Sequence, residues 1–110
     1  MSTISTHVLD TAFGKPAVGV GVALERASDN AVVGSGTTDG DGRVTDLVSS
    51  ETPLSQGVYR LRFDVGPYFA AARRTAFYPE VVIVFRVTGD AHYHVPLLLS
   101  PFGYSTYRGS

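Results

Sequence analysis

Two stretches of this chain alternate their side chains so regularly that they leave little choice of backbone. In Val18-Gly19-Val20-Gly21-Val22-Ala23-Leu24-Glu25 the even positions are large and apolar, and the odd ones are small or polar. In Tyr59-Arg60-Leu61-Arg62-Phe63-Asp64-Val65 the odd positions are apolar and the even ones charged. Successive side chains of a strand leave opposite faces, so a period of two marks a strand with one buried face. Both stretches read as half-buried antiparallel strands. Turn signals recur around them: Gly14-Lys15-Pro16, Ser28-Asp29-Asn30, Asp39-Gly40-Asp41-Gly42, Ser55-Gln56-Gly57, Gly89-Asp90 and Ser100-Pro101. The runs between are rich in Val, Tyr, Phe and Thr, the pattern of an all-β sandwich. Strands are expected near 5–10, 18–26, 32–38, 43–47, 58–65, 81–88, 92–99 and 104–108. One helix is expected from Pro67 to Ala76, with Pro at its start and Ala70-Ala71-Ala72 inside. One helix among eight strands leaves the class all-β.

A chain of 110 residues makes one domain, 1–110, with a core that needs no staples. With no cysteine, disulfides, thiolate nucleophiles and Cys-based zinc sites are excluded. A net charge of −1 gives no basic footprint for nucleic acid or an anionic membrane. No apolar run reaches the length of a membrane span. The first residues lack a secretory signal and the last lack a peroxisomal address, so a cytoplasmic protein is expected.

Val81-Val82-Ile83-Val84-Phe85 is apolar on both faces. Such a strand is either fully internal or an edge covered by another subunit, and an open apolar edge is an aggregation template. The second alternative is the expectation.

The residues with chemical potential cluster near the end of the chain. In His92-Tyr93-His94-Val95-Pro96-Leu97-Leu98-Leu99, alternation puts Tyr93, Val95, Leu97 and Leu99 on the core face. His92, His94, Pro96 and Leu98 then point outward, like the wall of a cleft. In His7-Val8-Leu9-Asp10, Val8 is the natural core residue, so His7 also points outward. Arg43 follows a tight-turn sequence and offers planar, permanently charged donors for an oxyanion or an amide-rich ring. That turn is no calcium loop, because Arg43 stands where an oxygen ligand is needed and no closing Glu follows. Gly19-Val20-Gly21 lacks the third glycine of a dinucleotide site, and Gly34-Ser35-Gly36 is no nucleophile elbow. The His92-x-His94 pair with His7 also suits zinc, although Arg43 nearby would repel a divalent cation.

The chain resembles the 5-hydroxyisourate hydrolase and transthyretin family over essentially its whole length. The resemblance rests on Thr6-His7-Val8-Leu9-Asp10, Gly14-Lys15-Pro16-Ala17, Asp41-Gly42-Arg43-Val44, Gly66-Pro67-Tyr68-Phe69, Phe77-Tyr78-Pro79-Glu80-Val81 and the ending Tyr107-Arg108-Gly109-Ser110. Hormone-carrying transthyretins share the earlier segments. They have a threonine where His94 stands and an apolar ending, so His7, Arg43, His94 and the last four residues point to the hydrolase branch. The resemblance implies a two-sheet, eight-strand antiparallel sandwich with one short helix. It also implies a homotetramer, a dimer of dimers around a central channel, with sites built by more than one subunit. The implied reaction is hydrolysis of 5-hydroxyisourate to 2-oxo-4-hydroxy-4-carboxy-5-ureidoimidazoline in urate degradation, without metal or cofactor. His7 and His94 would move protons, and Arg43 would bind carbonyl oxygens. Tyr107 would stack on the flat substrate, and Arg108, Gly109 and the Ser110 carboxylate would fix the geometry or donate to the ring. His92 would stand behind His94. A carrier of small hydrophobic ligands in the same channel is the alternative function, and a β-sandwich adhesion or accessory module a further one.

Overall fold

A computed structural model of the chain describes residues 2–48 and 54–109. The elements run β1 (Thr3–Asp10), β2 (Lys15–Pro16), β3 (Gly21–Arg26), β4 (Val32–Thr37), β5 (Arg43–Val44), β6 (Gly57–Asp64), α1 (Val65–Ala71), β7 (Val81–Val87), β8 (His92–Ser100) and β9 (Gly103–Thr106). One sheet has the order β2-β1-β8-β9, with β5 also paired to β1, and the other has the order β4-β3-β6-β7. All pairings are antiparallel except β1 with β8, which run parallel in unbroken register from Thr3↔His92 to Asp10↔Leu99. The result is a two-sheet β-sandwich with one short helix, the expected class.

The alternating stretches supply the core. Val22 and Leu24 of β3 stand beside Phe63 and Leu61 of β6 on the inner face of one sheet, with Val20 and Tyr59, and Tyr93, Val95, Leu97 and Leu99 close the layer from β8 in the other; all are buried. Each large apolar side chain buried in this way contributes about 1.5–3 kcal/mol. Buried Thr6 satisfies its hydroxyl by donating to the Val95 carbonyl at 2.6 Å, across the β1–β8 seam.

Four local features differ from the sequence reading. The two-residue β2 adds a ninth strand among the described residues, held to β1 by Leu9↔Pro16 and Asp10↔Lys15. Val18 precedes β3 instead of opening it and is 52% exposed. Pro96 lies on the outward face but is buried. The helix occupies Val65–Ala71 rather than 67–76. It stops where Arg73 turns left-handed at φ 56 and Arg73 N–H donates to the Ala70 carbonyl, with Arg74 N–H reaching back to that of Phe69. This is a Schellman stop with arginine where glycine is usual.

The apolar strand β7 is the edge of its sheet, as expected, with Val84 63% exposed. No helix among the described residues is long and apolar enough to cross a membrane.

Candidate active site

The outer face of the β1–β8 sheet gathers the polar side chains that alternation turns away from the core. Thr3, Ser5 and His7 come from β1, and His92 and His94 from β8. Because the two strands are parallel and in register, Thr3 stands beside His92 and Ser5 beside His94. Ser5 Oγ lies 2.8 Å from His94 Nδ1 and 2.9 Å from His92 Nε2, while Thr3 Oγ1 lies 2.6 Å from His92 Nδ1. The two imidazoles are nearly parallel, with centroids 6.5 Å apart. His94 Nε2 is thereby left as the ring nitrogen that none of these hydroxyls engages.

Arg43 reaches the same face from the other side of β1, where β5 pairs His7↔Arg43. Its turn is built around the Asp39 carboxylate, which accepts the backbone N–H groups of Asp41 at 2.9 Å and Arg43 at 3.0 Å. Those two hydrogen bonds, with the charges of Arg43 and His7, hold the Asp39 carboxyl below its ordinary range. Gly42 is left-handed at φ 76, and a Cβ there would stand 2.5 Å from the Val8 carbonyl oxygen. No residue but glycine lets the turn lie this close to β1. The ion pairs among the described residues do not include the Arg43 guanidinium.

Ser5, Thr6, Arg43, Thr45, His92 and His94 line an open cavity of about 400 Å³. His94 titrates below an ordinary histidine, first because burial disfavours its charged form, then because Arg43, His92 and His7 add like charge. At neutral pH it is a neutral base with one nitrogen available. Among the described residues no three of His, Cys, Asp and Glu gather as metal ligands do. Both His92 nitrogens are already engaged by Thr3 and Ser5, which leaves the His-x-His pair ill-suited to chelation.

The C-terminal residues divide. Gly109 N–H donates to the His94 carbonyl at 2.8 Å, and a Cβ on Gly109 would meet His94 Cδ2 at 2.5 Å, so this glycine lies flat against the imidazole. Tyr107 and Arg108 line a different cavity, of about 280 Å³, together with Ile83, Phe85, Tyr93 and Val95. The Arg108 guanidinium sits 4.9 Å from the Tyr93 ring centre. Within one chain these two residues do not meet the His94 cavity. Ser110 lies outside the described residues.

The same fold occurs in known proteins. A sequence model described as the HIUase/transthyretin family matches residues 4–109. The chain belongs to that family. A 5-hydroxyisourate hydrolase of Caulobacter vibrioides is 48% identical over 117 residues, covering 100% of both chains. A Klebsiella pneumoniae 5-hydroxyisourate hydrolase structure superposes with a TM-score of 0.90 at 41% identity, covering 100% of both chains. Sea bream transthyretin, solved in complex with thyroxine, superposes at 0.86 with 30% identity, over 96% of this chain and 93% of that one. Membership of the HIUase/transthyretin family thus leaves two kinds of function to weigh. For this HIUase/transthyretin family chain, Thr3 and Ser5 are the polar neighbours that sequence reasoning passed over. The one signal available was that both share the period-two face of His7.

Proposed function

We propose that this chain hydrolyses 5-hydroxyisourate, using His7, Arg43 and His94 on the outer face of the β1–β8 sheet. The observation that carries the reading is the union, in one cavity, of a neutral imidazole whose Nε2 none of the neighbouring hydroxyls engages and an arginine that joins no ion pair among the described residues. The names of the Caulobacter and Klebsiella relatives give the substrate. Water loses a proton as it adds to a ring carbonyl, the Arg43 guanidinium draws negative charge onto the carbonyl oxygen, and the C–N bond opens. The ring nitrogen takes up a proton, and the product is 2-oxo-4-hydroxy-4-carboxy-5-ureidoimidazoline. An acid, a base and an oxyanion donor are what that sequence requires. His94 Nε2 acts as the base, and His7 orients the substrate beside Arg43.

The working unit is a cytoplasmic homotetramer, a dimer of dimers. Support comes from the apolar edge β7 with Val84 exposed, and from exposed Phe77 and Phe102. Assembly around the outer sheet face turns it into a channel wall, where Tyr107, Arg108 and Ser110 of neighbouring subunits complete the substrate contacts. Carriage of small hydrophobic ligands draws on the likeness to sea bream transthyretin, but a wall bearing Arg43, His7, His92 and His94 is poorly matched to an apolar ligand.

The test is the ultraviolet absorbance of freshly made 5-hydroxyisourate with and without the protein. Decay must be faster than the spontaneous baseline and proportional to protein concentration. A rate equal to the baseline removes the enzyme reading and leaves the carrier.

A further inference from the structure

Ser5 Oγ has one proton to give and two imidazole nitrogens within hydrogen-bond distance, His92 Nε2 and His94 Nδ1. It donates to one ring and must accept from the other. In one arrangement His94 Nδ1–H donates to Ser5, Ser5 donates to His92 Nε2, and His92 Nδ1–H donates to Thr3 Oγ1. In the other, every proton in the chain has moved one place along and every hydrogen bond is reversed. The heavy-atom distances fit both arrangements equally. A line of donors that can be inverted as a whole is a path for a proton.

We propose that Ser5 and His92 form a proton relay behind His94, so that a proton taken up at His94 Nε2 is matched by one arriving at His92. The proposal rests on the hydrolase reading and assigns what lies behind its base. Water gives a proton to His94 Nε2. His94 Nδ1–H passes to Ser5 Oγ, and the Ser5 hydroxyl proton passes to His92 Nε2. His92, with both nitrogens protonated, becomes the cation, while His94 ends neutral with its proton on Nε2. The negative charge goes to the oxyanion beside Arg43, so charge and protons balance. Run in reverse, the same chain returns a proton to the leaving ring nitrogen.

The advantage is electrostatic. A cation on His94 would be half-buried and would face Arg43 from β5, His7 from β1 and His92 from its own strand. The Asp39 carboxylate of the β5 turn accepts two backbone N–H groups at Oδ1 and is not among the charges that act on His94. A cation on His92 is exposed and hydrated instead. Ser5 itself is 8% exposed, so bulk water does not readily take its place between the rings. Ser5 and His92 are positioning residues, acting through His94.

The experiment compares Ser5→Ala, Ser5→Thr and His92→Gln with the natural chain, by kinetics on 5-hydroxyisourate and by histidine-resolved NMR titration. Ser5→Ala and His92→Gln should each lower kcat by roughly tenfold or more, below the full general-base effect, with KM little changed. The acid limb of the kcat profile should move to lower pH in Ser5→Ala, where His94 must titrate without the relay while His92 still adds like charge, whereas in His92→Gln the loss of that like charge opposes the move. Ser5→Thr, which keeps the hydroxyl, should recover most of the rate. In the natural chain His92 and His94 should titrate as a coupled pair, and in Ser5→Ala separately, with His94 the lower. The titration needs no turnover, so it judges the relay even if the chain fails to act on 5-hydroxyisourate. His92 is exposed, so His92→Gln decides the matter should Ser5→Ala fail to fold. Unchanged kcat in His92→Gln, or independent titration of the two histidines in the natural chain, overturns the relay.

Discussion

At His7, strand β1 faces an arginine that joins no ion pair among the described residues, and at Asp10 the same strand faces one that is fully paired. Asp10 is fully buried. The Arg74 guanidinium grips both of its oxygens, at 2.5 and 3.2 Å, while Tyr68 Oη donates at 2.7 Å and the Phe13 N–H at 3.1 Å. Arg74 is in turn stacked 3.8 Å from the Phe13 ring centre. Burial by itself would push the Asp10 carboxyl up, but the hydrogen bonds from Arg74, Tyr68 and the Phe13 backbone outweigh it and hold the group at about 2. Around Arg43 and His94 the described residues supply fewer partners, with no ion pair to the Arg43 guanidinium and no hydroxyl on His94 Nε2. A charge whose partners are all supplied by the fold holds the fold together. A charge left without them is available to a substrate, and its surroundings shift the neighbouring base instead.

This contrast predicts opposite responses to substitution. The largest effect should come from His94→Ala, with a loss of turnover on the order of 10²–10⁴-fold and a melting temperature close to that of the natural chain. Arg43→Ala should behave in the same way. Arg43→Lys should recover little, because an ammonium lacks the planar fork. The Arg43→Ala/His94→Ala double variant should lose less than the product of the single losses if both groups act on one transition state. Steady-state kinetics beside thermal melts make the comparison, and normal turnover in His94→Ala would remove that residue from the site.

Asp10→Ala should show the reverse. It leaves the Arg74 guanidinium, whose side chain is only 12% exposed, without its carboxylate partner, which costs up to about 3–5 kcal/mol, while turnover of the folded protein stays near normal. The pH dependence follows from the sign of the shift. A carboxyl that ionises near 3.9 in the unfolded chain and about 2 in the folded one stabilises the fold above about pH 4. That contribution is lost as pH falls towards 2. Denaturant melts from pH 5 to 2 should be steeper in pH for the natural chain than for Asp10→Asn, and equal slopes would contradict the clasp.

Gly109→Ala tests how closely the C-terminal segment holds His94, the proposed base. A Cβ 2.5 Å from His94 Cδ2 requires the ring or the C-terminal segment to move. Displacing a reacting group by about 1 Å costs up to about 10²-fold, so a loss of about 10- to 100-fold is expected, with the fold intact. An Ala variant at full rate would mean that the segment yields and the ring does not.

How much of this was written in the sequence depends on the range of the interaction. Alternation in β3, β6 and β8 exposed the core faces directly, and with them the outward direction of His92 and His94, while Val8 in β1 gave that of His7. The two residues of β2, one of them proline, are too short to carry a period. Ser5 carries no chemical signal in one dimension. Its role arises only when parallel register sets it against a histidine 89 positions away. The division of Tyr107 and Arg108 from Gly109 is likewise a matter of how the segment after β9 returns to β8, where Gly109 bridges to His94, which no local pattern records.

The early end of the helix gives the smallest prediction and sharpens the structural side of the comparison. The reading to Ala76 followed helix propensity, and nothing between Ala72 and Ala76 is a glycine or proline that would stop it. The chain stops there because Arg74 is needed at Asp10. Turning Arg73 left-handed, at φ 56, is what swings the next residue back over the helix end towards β1. A left-handed conformation costs a residue with a Cβ about 1–2 kcal/mol, and glycine is largely free of that cost. Glycine also loses more freedom on folding, which returns about 0.4–1 kcal/mol of the gain. Arg73→Gly should therefore stabilise the protein by about 0.5–1 kcal/mol, raising the melting temperature by a few degrees, with turnover unchanged. In an Asp10→Ala background the same substitution should still help, because its benefit lies in the backbone and not in the clasp. If Arg73→Gly instead destabilises, the arginine side chain holds something that its strained backbone conceals, and the helix stop is more than a route to Asp10.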